Sequence, residues 1–266
     1  MSSSHTETSA PESRLKEERQ ALIHQLVEES GRVMVPALSA RFGVSEATIR
    51  RDLEELDAQG RLRRAHGGAV RSERAAKEPP MLLRTQEQAI EKSRIGREAA
   101  GLVGDGETIF LGSGTTVLEV ARALAATLRL TVITNSLPIA NLLADRPQIE
   151  LIVVGGMFRQ SELSMVGHIA EQAIRELRAD RAFMGMRAID PGYGFTNEYL
   201  PEIMTDRAIL GIAPQVVIVA DHTKFGRASS VAVAPVTAAH VIITDRRAPA
   251  EIVAEMRQRG LEVRLV

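Results

Sequence analysis

The 266-residue chain contains no cysteine, and this absence excludes disulfide bonds and zinc sites built from cysteine. It also lacks any apolar run approaching the roughly 18 residues that a membrane-spanning helix needs. The first 13 residues, MSSSHTETSAPES, have no apolar stretch of the kind that a secretory signal peptide requires. The formal net charge is only −1, so the chain as a whole has no excess positive charge that would attract nucleic acid. We therefore expect a cytoplasmic protein whose interactions depend on local patterns of residues.

The most informative stretch is the segment 35–70, VPALSARFGVSEATIRRDLEELDAQGRLRRAHGGAV. Pro36 suits the first turn of a short helix, because its missing N–H is not needed there. Gly43 then permits a tight turn, and Ser45 is a favourable N-cap for a second helix. That second helix has one apolar stripe at helical spacing, formed by Ile49, Leu53 and Leu56. Two helices joined by a glycine turn predict a helix-turn-helix.

The polar face of the second helix and the segment after it predict DNA binding. A helix-turn-helix places the N-terminal residues of its second helix in the major groove, where arginine can bind guanine through two hydrogen bonds. The segment 59–77 contains six Lys and Arg residues against one Glu, and its RLRRAHGG run fits a short β-hairpin, or wing, that phosphates would attract. The alternative is a helical hairpin whose charged face is merely solvated. The residues that we predict to bind DNA are Ser45, Glu46, Thr48, Arg50, Arg51, Arg63, Arg64, His66 and Gly67.

The remaining N-terminal segments complete a small domain. Residues 1–13 form a polar tail that we expect to be disordered, and a helix over 15–29 is predicted to present Leu22, Ile23, Leu26 and Val27 on one face. After the wing, a polar segment ending in Pro79-Pro80 is predicted to begin an interdomain linker, because paired prolines resist helix formation. The predicted boundaries are 14–71 for a winged helix-turn-helix domain, 72–88 for the linker and 89–266 for a second domain.

The second domain alternates short apolar runs with helical patterns. Predicted strands lie at 108–112, 131–135, 150–156, 181–186, 215–221 and 240–245. Predicted helices lie at 89–103, 115–128, 137–144, 169–177, 201–212 and 249–259. Continuous apolar strands that alternate with helices indicate an α/β fold with a mainly parallel sheet covered on both faces. Ligands of such sheets bind beyond the carboxyl ends of the strands, so the residues at those ends are the candidates for function.

The loop LGSGTT follows the first of these strands. Its glycines let the backbone approach a ligand, and the next helix offers free N–H groups to an anion, so we predict a phosphate-bearing ligand. A dinucleotide site is disfavoured because Val117 replaces the third glycine of that motif, and a phosphate-binding loop ending in GK[ST] is absent. A plain glycine turn remains the alternative. The predicted ligand residues of this loop are Gly112, Ser113, Gly114, Thr115 and Thr116.

Three other strand ends carry candidate residues. Asn135 follows the second strand, where a helix N-cap formed by Ser136 is an equal alternative. Gly155 and Gly156 follow the third and permit close approach of a ligand or a mobile loop. Asp221 and Lys224 follow the fifth strand and supply one acceptor and one cation, the alternative being a surface ion pair of little energetic value. The histidines show no metal-binding spacing, so we predict neither a metal nor a cofactor.

The segment VSEATIRRDLEELDAQGRLRRAHGGA resembles the N-terminal domain of the DeoR family of bacterial transcription regulators. The runs LGSGTT, VITNS, VVGG, FMG and ADHTKFG occur in the order found in the sensor domain of the same family. The resemblance implies a second domain related to sugar-phosphate isomerases, which senses a phosphorylated sugar or related metabolite. It also implies a pocket formed by the 112–116 loop, Asn135, Gly155, Gly156 and the segment 221–224.

The sequence departs from this resemblance at Gly112, at Arg187 and in the segment EYLPEIMTDRAIL after Asn197, where relatives often show a different acidic-then-basic pattern. Many relatives have Asp where this chain has Gly112, and many have Asp where it has Arg187. We predict that Arg187 changes the pocket from accepting hydroxyl groups to binding an anion.

We expect a repressor of a carbohydrate uptake or catabolism operon that is released from DNA by the metabolite, with no catalytic residues. The expected partners are operator DNA with repeated half-sites and further copies of the chain in a homodimer or homotetramer. One alternative is an isomerase-like enzyme with an accessory DNA-binding domain, whose base would be Glu198, Glu202 or Asp221. Another is a protein-interaction module built on the winged helix. The sequence does not show where the operator lies relative to the promoter, so an activator is also open.

Overall fold

A computed structural model describes residues 11–70 and 79–266. Its contacts divide the chain into two compact units, Met1–Lys77 and Glu78–Val266, and each is treated separately below. The division falls inside the predicted linker. Residues 1–10 of the predicted tail and 71–78 of the linker lie outside the described residues.

The smaller unit is a winged helix-turn-helix. Its elements are α1 (Pro11–Ser30), β1 (Arg32–Met34), α2 (Val35–Phe42), α3 (Glu46–Ala58), β2 (Arg63–Ala65) and β3 (Gly68–Val70). The helices enclose a core in which Ile23, Leu38 and Leu53 are all at most 2% exposed. Leu22, predicted to face this core, is 49% exposed, because the buried stripe of α1 passes through Ile23 and Val27 instead. Helix α1 begins at Pro11, two residues before the predicted end of the tail at residue 13.

The predicted turn between α2 and α3 is confirmed. Gly43 adopts the left-handed conformation (φ +64°) and its N–H donates to the carbonyl of Ser39 at 3.0 Å. Ser45 caps α3, because its side chain accepts a hydrogen bond from the Thr48 amide at 3.2 Å. The wing is a three-stranded antiparallel sheet in the order β1-β3-β2. Strand β1 was not predicted, since three residues are too few to show a period.

The larger unit is organised around seven strands that form one sheet in the order β15-β14-β12-β9-β4-β5-β6, with every neighbouring pair parallel. These strands are β4 (Thr108–Leu111), β5 (Leu130–Thr134), β6 (Ile149–Val153), β9 (Arg181–Met184), β12 (Gln215–Val219), β14 (Val241–Thr244) and β15 (Glu262–Leu265). The prediction of a mainly parallel sheet is confirmed, and β15 is an additional edge strand.

Helices cover both faces of this sheet. They are α4 (Met81–Arg84), α5 (Ala89–Ala100), α6 (Thr115–Ala123), α7 (Leu137–Leu143), α8 (His168–Arg175), α9 (Leu200–Leu210) and α10 (Ala250–Gln258). Successive strand residues point to opposite faces, and Ile109 and Phe110 of β4 accordingly belong to two separate core clusters. Val217 and Ile218 of β12 divide in the same way.

Two small antiparallel sheets complete the larger unit. A hairpin pairs β7 (Met157–Arg159) with β8 (Ser164–Val166), and a second sheet joins β10 (Ala188–Asp190), β11 (Gly194–Asn197) and β13 (Val231–Ala234). None of these five strands is predicted from the sequence, because strands of three or four residues lack a recognisable alternation.

Segment 79–88, predicted to be the end of the linker, is packed on the larger unit. Met81 is only 2% exposed, and its N–H donates to the carbonyl of Ser161 at 2.7 Å. Met81 is one of few apolar residues in this segment, which explains why its polar composition predicts a linker.

Candidate functional sites

The first candidate site is the exposed N-terminal part of α3. Arg50 and Arg51 are both exposed, and Arg50 forms an i,i+4 ion pair with Glu46 at 2.6 Å. Ser45 and Thr48 interact with each other at the cap, since their hydroxyl oxygens lie 2.9 Å apart. The cap therefore fixes the start of the helix, while the arginines remain available to a ligand on its outer face.

Behind this face, a buried carboxylate fixes α3 against α1. Asp52 is 1% exposed and accepts hydrogen bonds from Arg19 (Nε 2.6 Å, Nη2 3.1 Å) and from Gln20 (3.2 Å). The hydrogen bond that Arg19 donates to Asp52 raises the pKa of Arg19, so the guanidinium stays charged. Sequence reasoning missed Asp52, because a polar residue in RRDLEEL reads as another member of a solvated face.

The wing brings the other predicted DNA-binding residues together. Arg63, Arg64, His66 and Gly67 are all exposed, on β2 and on the turn to β3. Arg64 is tied to α3, because its guanidinium pairs with Glu54 at 2.7 Å and its amide donates to Asp57 at 3.2 Å. The wing is thus fixed to the C-terminal half of α3 within the smaller unit.

The second candidate site lies at the carboxyl edge of the large sheet. The predicted ligand residues follow β12, β9, β4, β5 and β6, which are five successive strands of that sheet. Strand order reverses between β4 and β9, and this switch point is where α/β sheets bind ligands. The loops converge there: a Cβ atom at Gly185 would lie 3.6 Å from the carbonyl oxygen of Ser113 and 4.0 Å from that of Val219.

The loop after β4 has the conformation that the prediction requires. Gly114 adopts φ +115°, which side chains rarely permit, and it is the N-cap residue of α6. Ser113 and Gly114 are half-buried, whereas Thr115 and Thr116 are buried. Gly112 is confined, because a Cβ atom there would lie 3.3 Å from the carbonyl oxygen of Phe183.

Unpartnered polar atoms surround Asn135. Its Nδ2 donates to the carbonyl of Met165 at 3.0 Å, whereas its Oδ1 is buried without a hydrogen-bond partner among the described residues. The hydroxyls of Ser136 and Ser164 are likewise buried without a hydrogen-bond partner among the described residues. Ser136 occupies the N-cap position of α7 but makes no side-chain capping bond, so the capping alternative is not supported. Buried polar atoms of this kind call for a partner such as water or a ligand.

Asp221 and Lys224 form a short 3-10 turn after β12. Asp221 is 1% exposed and accepts a hydrogen bond from the Thr223 amide at 3.0 Å, so the alternative of a surface ion pair is wrong. The neighbouring His222 contacts Asp245 at 3.0 Å through Nδ1. Although burial raises the pKa of Asp245, hydrogen bonds from the side chain and amide of His222 outweigh that effect and lower it.

Lys92 of α5 is a further cation near this turn, and sequence reasoning missed it. It is 4% exposed and donates to the carbonyls of Arg84 (2.7 Å) and Glu87 (2.5 Å). Burial lowers its pKa, the Asp221 carboxylate opposes that shift, and the Lys224 cation adds to it. A lysine in an amphipathic helix is normally exposed, so no sequence signal distinguishes Lys92 from its neighbours.

The two arginines near the sheet edge are both balanced by carboxylates. Arg187 has a side chain 6% exposed that pairs with Glu198 at 3.2 Å. Arg159 forms an ion pair with Glu202 and lies 4.4 Å from the ring centroid of Tyr199. Gly155 and Gly156 are exposed, but a Cβ at Gly156 would lie 3.0 Å from the Cβ of Ala170, so this glycine permits close packing.

Replacing Asp206 with Asn should stabilise the protein at neutral pH. The pKa of Asp206 lies well above its ordinary value of 3.8, because burial and the nearby Glu202 disfavour its charged form. The native state then binds more protons than the unfolded state above pH 3.8, so stability falls as pH rises toward the native pKa. We expect thermal unfolding to show a higher Tm for D206N at pH 7 and little difference near pH 3. The exposed control D145N should show no such pH dependence.

No metal-binding cluster of His, Asp or Glu occurs within residues 11–70 and 79–266. The helices in those same ranges are too short or too polar to cross a membrane.

Comparison with known proteins matches both units to one family. Residues 19–75 match the DeoR-like helix-turn-helix domain, and residues 87–246 match the DeoR C terminal sensor domain. The chain is 35% identical to the transcriptional repressor AccR of Agrobacterium fabrum, covering 86% of this chain and 89% of that protein. It is 32% identical to the glycerol-3-phosphate regulon repressor of Escherichia coli, with coverage of 91% and 96%. Among solved structures, it is similar to ribose 5-phosphate isomerase A from Methanocaldococcus jannaschii at 20% identity, covering 52% of this chain and 55% of that one, with a TM-score of 0.39.

Proposed function

The chain belongs to the DeoR family of DNA-binding transcriptional regulators, and from that premise we propose that it represses a carbohydrate uptake or catabolism operon. In this proposal a phosphorylated sugar or polyol binds at the carboxyl edge of the large sheet and releases the protein from its operator. Relatives whose names specify an aga operon and a glycerol-3-phosphate regulon support this class of target. Release requires that the metabolite bind two states of the protein with different affinity.

The observation that carries the proposal is the set of groups at the sheet edge. The N-terminus of the nine-residue helix α6 offers backbone N–H groups and a favourable dipole to a phosphate. Lys224 supplies a cation, and Arg187 adds little because Glu198 balances it. The Asp221 carboxylate and the Asn135 Oδ1 are acceptors for sugar hydroxyls.

The isomerase alternative finds no comparable support. One of its candidate bases is already engaged, since Glu202 pairs with Arg159 and accepts from Asn197 at 2.6 Å. The named relatives reported above are repressors.

A thermal-shift screen of phosphorylated sugars and polyols, including glycerol 3-phosphate, tests the ligand. A compound present at about 100 times its Kd should add about 2.7 kcal/mol of stability, which raises Tm by roughly 5–10 °C for a unit of this size. We expect K224M to lower the affinity for that compound by about 10- to 100-fold, because a charge-assisted hydrogen bond contributes about 1.5–3 kcal/mol. The control R178M removes an exposed positive charge before β9, at the opposite edge of the sheet, and should bind normally. A screen in which no phosphorylated compound shifts Tm would refute the proposed ligand class.

We also propose that the protein binds DNA as a homodimer or homotetramer, because each chain carries one recognition helix and helix-turn-helix proteins read repeated half-sites. An apolar patch on the larger unit suits contact with a second copy. Its members are between 40% and 61% exposed and comprise Met157, Phe158, Ile169, Leu200 and Met204. Gly167 links the hairpin and α9 within this set, because a Cβ there would lie 3.9 Å from that of Met157 and its amide donates to Thr205 on α9 at 3.1 Å. The same patch on two copies satisfies the two-fold symmetry of a dimer.

Replacing Phe158 with Glu should separate the subunits, because it places a charge among these exposed apolar residues. Sedimentation velocity should show a monomer for F158E at concentrations at which the wild type is oligomeric. The control Y193E changes a residue that is 72% exposed on the turn between β10 and β11, and it should remain oligomeric. An F158E protein that sediments like the wild type would exclude this patch as the interface.

A further inference from the structure

Lys92 lies between the proposed ligand site and segment 79–88, through which the chain enters the larger unit. Helix α5 packs against β12, the strand that leads into Asp221 and Lys224. The Lys92 ammonium interacts electrostatically with both of these residues. At the same time, two of its N–H groups are directed to the carbonyls of Arg84 and Glu87, at 2.7 and 2.5 Å. The buried Lys92 ammonium therefore contacts the turn after α4 and also interacts with the charges of Asp221 and Lys224 at the sheet edge.

The turn that Lys92 holds is fixed on its other side by the β7–β8 hairpin. Arg84 is buried, forms an ion pair with Glu162 and donates from Nε to the carbonyl of Pro79 at 2.8 Å. Gln88 ends the turn with φ +51°, a conformation that non-glycine residues adopt at a cost. Such a turn persists only while its surroundings hold it, and Lys92 supplies two of the hydrogen bonds that do so.

An anion bound beside Lys224 also attracts the Lys92 ammonium, and so competes with the carbonyls of Arg84 and Glu87 for it. It adds negative charge where Asp221 already attracts Lys92, so it favours a position of the ammonium nearer the sheet edge. The bonds to the carbonyls of Arg84 and Glu87 weaken in proportion, and the turn has fewer contacts to hold its strained end. This gives the ligand a differential interaction with two arrangements of one segment, which coupling between sites requires.

We infer that Lys92 is a positioning residue that transmits occupancy of the ligand site to segment 79–88, and so to DNA affinity. The inference rests on the proposed function, because it assumes an anionic effector at the sheet edge. Its two halves, the hold of Lys92 on the turn and the effect of that hold on DNA binding, can be measured without any effector.

The test compares K92M with wild-type full-length protein and with R97M. Methionine keeps the apolar stem and removes the ammonium, whereas Arg97 is an exposed residue of the same helix and donates only to the carbonyl of Ser93 at 3.3 Å. In hydrogen exchange, we expect the amides of residues 81–88 to exchange at least about tenfold faster in K92M than in the wild type or R97M. In fluorescence anisotropy with DNA from upstream of the gene, K92M should bind about tenfold or more weakly, and added effector should change this little.

A merely structural role would lower the Tm of K92M but leave DNA affinity unchanged at a temperature where both proteins are folded, and this result would overturn the inference. If K92M does not fold, hydrogen exchange in the wild type tests the inference instead. The protection of the amides of residues 81–88 should change when glycerol 3-phosphate or inorganic phosphate is added. An unchanged exchange pattern overturns the inference. Failure of the proposed function looks different, because then no phosphorylated compound affects DNA binding by the wild type. Equal release of the wild type and K92M by an effector refutes only the role of Lys92.

Discussion

Replacing Gly68 with Ala is expected to unfold the wing and abolish specific DNA binding. A Cβ atom at Gly68 would lie 1.9 Å from the carbonyl oxygen of Val33 and 3.0 Å from the Cα of Met34. Both atoms belong to the backbone of β1, so no side-chain rotation relieves the overlap, and β1 must separate from β3. Overpacking that side chains can absorb costs about 1–3 kcal/mol, and we expect this substitution to exceed that range. Anisotropy with operator DNA and thermal unfolding of the full chain measure the two effects.

Gly31→Ala is the matched control for Gly68→Ala. Gly31 has φ +71° and nothing within 4 Å of the position that its Cβ would occupy. Alanine there encounters only backbone strain of about 1–2 kcal/mol, and we expect G31A to keep its affinity for DNA below its Tm. If G68A binds operator as well as G31A does, the three-stranded wing is not required for recognition.

The glycine pair of RAHGGAV shows what sequence reasoning captures and what it misses. The pair correctly predicted a hairpin, and Gly67 indeed turns it with φ +73°. The local sequence does not explain the second glycine, Gly68. Its side chain is excluded by β1, a strand of three residues that lies more than thirty positions earlier in the sequence. A local pattern reports the turn, whereas the close approach exists only after folding.

The same distinction applies to both candidate sites. The seven-stranded sheet was predicted in all but its last strand, because buried parallel strands are continuous apolar runs between helical patterns. The charged residues that fix the sites were not predicted. Asp52 and Lys92 occupy helices in which charge normally means exposure, and their burial depends on Arg19 in one case and on the carbonyls of the 84–87 turn in the other. Hydrogen-bond partners that are distant in sequence, or that are backbone atoms, do not affect the spacing of apolar residues from which helices and strands are predicted.

Replacing Arg51 with Ala is expected to weaken operator binding by about 1–3 kcal/mol, or roughly 5- to 150-fold, while non-specific DNA binding changes far less. Arg51 is exposed in the first half of α3, the part of a recognition helix that enters the major groove. The buried bonds from Arg19 to Asp52, the next residue, fix that helix against α1 and so limit the rotation available to Arg51. A similar loss is expected for R50A, because its exposed pair with Glu46 is weak enough to exchange for a base contact.

The salt dependence of binding separates the two ways in which Arg51 can contact DNA. An arginine that reads a base edge contributes to specificity, so R51A should lower affinity for the operator while leaving the slope of log K against log salt nearly unchanged. An arginine that contacts only phosphate contributes equally on every sequence, and its loss would reduce that slope by about one. The control R246A removes one exposed positive charge from the larger unit and should change neither quantity. Equal operator affinity for R51A, R246A and the wild type would mean that Arg51, an exposed basic residue in the first half of α3, does not contact DNA in the groove.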